Sequence, residues 1–231
     1  MEERPTIEAE PEPIVIDISK AALVIVDMQN AFVKKGGYLD LAGHDISATQ
    51  QIITPCLKII TALRHKGVKI IYFQMGYSAD FSDKGPSDSP SVLKSRVLNF
   101  INQYPEAKDK VYIYSTWGAE IIDELKPQPG DIIIKKQRYD GFFGTNLDLT
   151  LRTLDIKYLF FVGTATNICV ESTIRHAFFL DYFPILVSDA VSHMGPSITH
   201  QATLINVQST FGWVTNSDNL LHAIGHIKNM V

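Results

Sequence analysis

Six short segments of the chain are almost continuously apolar and rich in β-branched residues: 23–27, 69–74, 132–136, 158–163, 184–188 and 212–215. Runs of this length without polar alternation suit strands covered on both faces, as in a parallel sheet. Between them the period changes. Residues 46–66, 146–154, 168–181, 198–210 and 217–228 carry apolar positions at helical spacing, the first closed by Gly67 and the last opened by Ser217 as a candidate N-cap. Strand alternating with helix predicts βαβ units, and so an α/β domain built on a parallel sheet.

Two stretches fall outside this alternation. Residues 1–13 are acidic, hold three prolines and lack the features of a secretory signal; they are expected to form a flexible arm ahead of a single domain, 14–231. Residues 76–95 form a long polar loop bearing proline and glycine, of the kind that often serves as an active-site lid. Residues 110–115 are a weaker strand candidate.

Composition narrows the function classes. At 231 residues, with 45% hydrophobic and 20% charged positions, the chain has enough apolar content for one domain with a sizeable core. The formal charge of −4 and the lack of any Lys/Arg block argue against nucleic acid as a partner. No apolar run approaches the roughly 18 residues of a membrane span, so no membrane partner is expected. Two cysteines, Cys56 and Cys169, make neither a disulfide framework nor a cysteine-rich zinc site, and a reducing, cytoplasmic setting is expected. No glycine-rich phosphate cradle is present, and no histidines fall at metal-ligand spacing on a strand end; His222 and His226 lack an acidic third ligand. No cofactor and no metal are expected.

In parallel sheets ligands bind beyond the carboxyl ends of the strands, where the strand order reverses. Asp27 ends the first apolar segment, Lys136 ends the third, and Cys169 follows the fourth. A carboxylate, an ammonium and a thiol on one sheet edge suggest a cysteine nucleophile with a base and an electrostatic partner. Cys169 falls off the helical stripe Val170, Ile174, Ala177 and Phe178, which is expected to put it in a first helical turn where backbone N–H groups lower a thiol's pKa. Cys56, in an apolar pattern with Ile53, Leu57 and Ile60, reads as core. The plainer alternatives stay open here: Asp27 as a turn cap, Lys136 beside Lys135 as a solvated edge, Cys169 as a small core residue.

Three motifs add to this reading: Val26-Asp27-Met28-Gln29, Lys136 ahead of Phe143-Gly144-Thr145-Asn146-Leu147, and Gly163-Thr164-Ala165-Thr166-Asn167-Ile168-Cys169-Val170. In this order, over nearly the whole chain, they resemble the isochorismatase-like cysteine hydrolases. The resemblance implies a three-layer α/β/α sandwich with a six-stranded parallel sheet of order 3-2-1-4-5-6, and a catalytic set of Asp27, Lys136 and Cys169. It also implies a cis peptide at Thr164-Ala165 and an oxyanion hole formed by the backbone N–H groups of Ala165 and Cys169. At about 4.8 Å between strands, Lys136 must reach across about 10 Å to the first strand, which suits a long side chain.

Further similarity at 36–43, 127–132, 138–143, 165–173, 178–183 and 211–214 resembles a branch of amidohydrolases that cleave the C–N bond of a small ureido or carbamoyl acid. One position departs: Met75 stands where an Asn is expected after Phe-Gln. The candidate substrate-binding residues are Gln74, Tyr77, Lys94, Arg138, Tyr139 and Phe142, with Lys94 and Arg96 as possible lid cations for a substrate carboxylate. Nicotinamidase-like and N-carbamoyl amino acid hydrolase activities are the alternatives, along with a non-catalytic member of the fold. Segment 74–80 holds no histidine for the metal cluster of nicotinamidases, and isochorismatases proper lack the cysteine present here. Aromatic crowding at Phe178, Phe179, Tyr182 and Phe183 suggests a homo-oligomer.

Overall fold

The structure, a computed structural model, describes residues 4–225. An antiparallel pair, β1 (Thr6–Ile7) and β2 (Ile14–Val15), precedes six strands that pair in parallel. These are β3 (Ala21–Val26), β4 (Lys69–Met75), β5 (Ile132–Lys136), β6 (Tyr158–Thr164), β7 (Phe183–Ser192) and β8 (Trp213–Thr215). Their order is β5-β4-β3-β6-β7-β8. Counted within the sheet this is 3-2-1-4-5-6, so the strand order reverses between β3 and β6.

Both faces of the sheet are covered, and the period of two decides which residue goes where. Leu23 and Ile25 of β3, Ile70 and Tyr72 of β4, and Phe160 and Val162 of β6 pack with Cys56, Ile59 and Leu63 of the helix Ile53–His65 and Leu220 of the helix Ser217–Ala223. Their alternates Ala22, Val24, Ile71, Phe73 and Phe161 pack with Leu147 and Leu151 of the helix Leu147–Thr153 and Ile174 and Ala177 of the helix Glu171–Phe179. All six residues of β3 are buried, and each fully buried large apolar side chain contributes about 1.5–3 kcal/mol. This is the three-layer sandwich.

The helices differ from the sequence pattern where local chemistry interrupts it. The expected helix 46–66 divides into Ser47–Gln51 and Ile53–His65, because Pro55 has no N–H to continue an earlier turn and is tolerated only in the first turn of the second piece. Segment 168–181 opens with a π-helical turn, Thr166–Val170, before its α-helix, and 198–210 becomes Ser197–Asn206 followed by a π-helical turn, Val207–Phe211. The last helix is capped by Asn216, whose side chain accepts from Asn219 N at 2.8 Å. Ser217, the expected cap, instead bonds Asp189 through its N–H and hydroxyl. The end of that helix as expected, 226–228, and His226 lie outside the described residues.

Residues 110–115 form no strand and make only an isolated bridge between Tyr77 and Ile113. The long loop 76–95 contains the single turn Pro90–Leu93 and leads into the helix Arg96–Gln103, the two capped by Ser89 and Ser95. The acidic arm, expected to be flexible, is docked over its described part. Glu10 and Val214 exchange backbone hydrogen bonds of 2.8 and 2.9 Å, and Ile7 is fully buried, so the arm covers the edge strand β8.

Candidate active site

The apolar run of β3 delivers Asp27 to the carboxyl end of the sheet, where it adopts φ 50°. The neighbouring strand must come close for this to happen. Gly163 of β6 pairs with Val26 at φ +108°, and a Cβ there would meet Val26 O at 2.2 Å. Only glycine fits.

Lys136, the last residue of β5, is fully buried and reaches past the end of β4 to place Nζ 2.8 Å from Asp27 Oδ2. The same ammonium donates to Arg138 O at 3.2 Å and Tyr139 O at 3.3 Å, and lies 3.6 Å from Met75 Sδ. Asp27 Oδ1 is buried and has no hydrogen-bond partner. Cys169, in the π-helical turn after β6, is close enough to feel both charges. Its carbonyl accepts from Thr173 Oγ1 at 2.7 Å, and that hydroxyl accepts from Gly141 N at 3.0 Å, which ties the cysteine turn to the loop after β5.

The electrostatics follow from burial. Loss of water raises the Asp27 carboxyl above its usual range, and the adjacent Lys136 ammonium only partly offsets this. For Lys136 burial works to lower the pKa, but Asp27 and Cys169 outweigh it and the ammonium is held above its usual range. The Cys169 thiol is pushed up, by burial first; Lys136 opposes this and Asp27 adds to it. The lowered thiol expected from a helix N-terminus is therefore not what the structure gives, because the sulfur sits in a buried π-turn beside a carboxylate. The arrangement holds one fixed positive charge and a thiol proton with a high-lying carboxylate ready to take it.

Asp27, Cys169, Ala165 and Thr164 line one cavity of about 620 Å³ together with Tyr38, Lys94, Arg96 and Tyr139. The Thr164-Ala165 peptide is cis. Among the described residues no group of three His, Cys, Asp or Glu side chains is placed to hold a metal ion, and no helix is long and apolar enough to cross a membrane.

The isochorismatase domain model matches residues 21–219. The chain belongs to the isochorismatase family. Within curated proteins it is 48% identical over 209 residues to ureidoacrylate amidohydrolase RutB of Rhizobium rhizogenes, covering 90% of this chain and 85% of that one. It is 46% identical to the protein of the same name from Agrobacterium fabrum, covering 95% of this chain and 96% of that one. Among solved structures, a cysteine hydrolase from Pseudomonas syringae superposes with a TM-score of 0.75 at 28% identity, covering 91% of this chain and 95% of that one.

On this isochorismatase frame, two of the six candidate substrate-binding residues, Lys94 and Tyr139, reach the cavity. The other four do not line it. Gln74 spends its amide on Ala119 O at 2.8 Å. Tyr77 packs against Phe81 and Tyr112 with its side chain buried. Arg138 turns to Gln137 O at 3.0 Å and Lys84 O at 3.4 Å, and Phe142 stacks in the core with Tyr182. Met75, the departing position, lines the cavity.

Tyr38 and Asn167 were not singled out by sequence reasoning. Asn167 exchanges hydrogen bonds of 3.0 and 3.1 Å with the backbone of Met194, fixing the rim there. Tyr38 follows Gly37, where a Cβ would meet Asn30 O at 2.3 Å; this close approach swings the tyrosine into the cavity. The double glycine in 36–43 was the available signal.

Proposed function

We propose that the chain is a cysteine amidohydrolase cleaving the carbamoyl C–N bond of ureidoacrylate, the activity named for the relatives that are 46–48% identical to it. The observation that carries the chemistry is the buried Lys136–Asp27 pair, 2.8 Å long, beside a buried cysteine on one cavity. Asp27 takes the proton of the Cys169 thiol, and the sulfur attacks the carbamoyl carbon. The backbone N–H groups of Ala165 and Cys169 hold the developing oxyanion. Asp27 returns the proton to the departing nitrogen, and aminoacrylate leaves. A water then loses a proton to Asp27 and attacks the S-carbamoyl carbon; carbamate departs, and the proton goes back to sulfur. Carbamate breaks down to carbon dioxide and ammonia. Lys136 stays protonated throughout, so the carboxylate can cycle without gathering negative charge in a dry site.

The partner in this reading is a small molecule, the step requires no metal or organic cofactor, and the two free cysteines fit a cytoplasmic setting. The test is ammonia release from a panel of ureidoacrylate, N-carbamoyl amino acids and nicotinamide, with and without EDTA. Ureidoacrylate should be the preferred substrate in both conditions, and Cys169→Ala or Asp27→Asn should lower kcat by about a thousandfold or more. A preference for nicotinamide or a carbamoyl amino acid, or loss of activity on chelation, would overturn the assignment.

A further inference from the structure

The cavity is electrically lopsided. Among the described residues its only carboxylate is Asp27, at the buried end and already paired with Lys136, whereas the open end carries Lys94 and Arg96, both exposed. Among the described residues neither of these cations has an ion-pair partner. A ligand that enters must therefore place a neutral group next to Cys169 and can keep an anion at the mouth.

Arg96 is the better placed of the two. It opens the helix Arg96–Gln103, which is fixed to the domain by the buried Val97 and Phe100. Arg96 and Phe100 stand one turn apart on the same helical face. The Tyr38 ring meets Phe100 edge-on at 5.2 Å, so Tyr38 is held against the face that carries Arg96. The tyrosine is mostly buried and its hydroxyl is pushed up to about 12 by burial, with Arg96 the charge that opposes this. The phenol therefore stays neutral, a hydrogen-bond donor beside a guanidinium. Lys94 has a point charge on a flexible stem, whereas a guanidinium fork matches both oxygens of a carboxylate.

We propose that Arg96, assisted by the Tyr38 hydroxyl, forms the subsite that selects the carboxylate of the substrate, and that ligands bind carbamoyl group inward and carboxylate outward. This rests on the amidohydrolase reading for the identity of the inner group. The class it selects is short, linear carbamoyl acids whose carboxylate stands several atoms from the carbon attacked. Uncharged amides gain nothing at the mouth.

The test uses binding as well as turnover. Calorimetric titration of full-length Cys169→Ala with ureidoacrylate and with its primary amide gives a preference ratio for the acid. Adding Arg96→Gln should reduce that ratio at least about tenfold, the scale of one charge-assisted contact; Arg96→Lys should restore part of it, and Tyr38→Phe should have a smaller effect. In the otherwise wild-type enzyme, Arg96→Gln should raise KM for the acid far more than it lowers kcat. Circular dichroism confirms that the variants are folded. An unchanged ratio in Arg96→Gln, or one that falls only with Lys94→Gln, overturns the subsite. If ureidoacrylate binds with the expected Arg96 dependence yet is not hydrolysed by the wild-type protein, the subsite stands and the proposed reaction fails. Hydrolysis without Arg96 dependence gives the reverse.

Discussion

Gln29 and Met75 exchange a reciprocal pair of hydrogen bonds: Gln29 Nε2 donates to Met75 O at 2.8 Å, and Met75 N donates to Gln29 Oε1 at 2.8 Å. A third bond runs from the same Nε2 to Ala119 O at 2.9 Å. The glutamine is fully buried, so it acts as the backbone partner that β4 lacks where it leaves the sheet, next to the cavity.

Gln29→Leu removes all three bonds without opening a large cavity. Leaving a buried polar group unsatisfied costs about 1–3 kcal/mol each, and two are stranded here, Met75 N and Met75 O, since Ala119 O keeps its bond from Gln74 Nε2. The expected result is a loss of about 2 kcal/mol or more in urea unfolding. Because Met75 Sδ touches Lys136, kcat should fall as well. A loss below about 0.5 kcal/mol with full activity would show that the bonds are dispensable.

The same motif shows what a sequence can and cannot disclose. Asp27 and Gln29 stand two residues apart in it, yet one points into the cavity and the other stitches backbone together; only the chain path after Val26 separates them. The sheet was legible because β3, β4 and β6 are buried on both faces and their apolar runs have no rival explanation. Lys136 was legible as a strand-end cation, and its pairing with Asp27 follows from the strand order. The mouth was legible only in part: Lys94, Arg96 and Tyr139 were read from the sequence and line the cavity, whereas Tyr38 was not. Tyr38 opens the single-turn helix Tyr38–Leu41, brought in by one close glycine contact, and Arg138, beside Lys136 in sequence, turns to the 76–95 loop, where Lys84 O accepts from its guanidinium while Gln137 O accepts a second bond. Such choices depend on long-range packing, which no local period encodes.

The two cysteines should separate by access and not by acidity. Burial raises both thiols, but Cys169 lines a cavity that opens to solvent, while Cys56 is fully buried in the opposite core layer and lies 3.4 Å from Ala190 O. Iodoacetamide should modify Cys169 first and Cys56 only on unfolding, as read by peptide mass spectrometry. With its thiol raised, Cys169 should react faster at pH 9 than at pH 7, and Lys136→Met should slow it. Equal native labelling of both cysteines would remove the argument.

Self-association is expected through the aromatic end of the helix Glu171–Phe179. Phe179 is 68% exposed and Phe178 42%, and both rings lie edge-on to Phe211, at 6.1 and 5.8 Å. Tyr182, read from the sequence as part of this group, belongs to the core and donates to Asp148 Oδ1 at 2.8 Å. A cluster of exposed rings of this kind is suited to bury itself against a second copy of the chain. Light scattering at micromolar concentration should give at least a dimer, and Phe179→Glu should shift it to monomer with its catalytic rate constant retained. A monomeric wild type would refute the expectation.

The pH dependence isolates the Asp27–Lys136 pair. Burial holds the Asp27 carboxyl above its ordinary value of 3.8, so the acid limb of kcat/KM, which reports loss of the base, should lie above that value. Lys136→Met removes the cation that favours the charged form, and the limb should move to still higher pH. Stability follows the same signs. A carboxyl whose folded pKa is raised contributes stability present below its unfolded value and lost as pH rises through the folded one. Lys136, also raised, contributes stability through the acid and neutral range, lost only as pH rises through its own folded value. The Lys136→Met variant loses that contribution and leaves a buried carboxylate unpaired, a defect of about 3–5 kcal/mol near neutrality that shrinks as the carboxyl takes up a proton. Urea unfolding at pH 5 and pH 8 should therefore show the variant closer to wild type at the lower pH. An acid limb at or below 3.8, or a defect that grows on acidification, would mean that Asp27 is ionised without difficulty and that burial does not set its proton affinity.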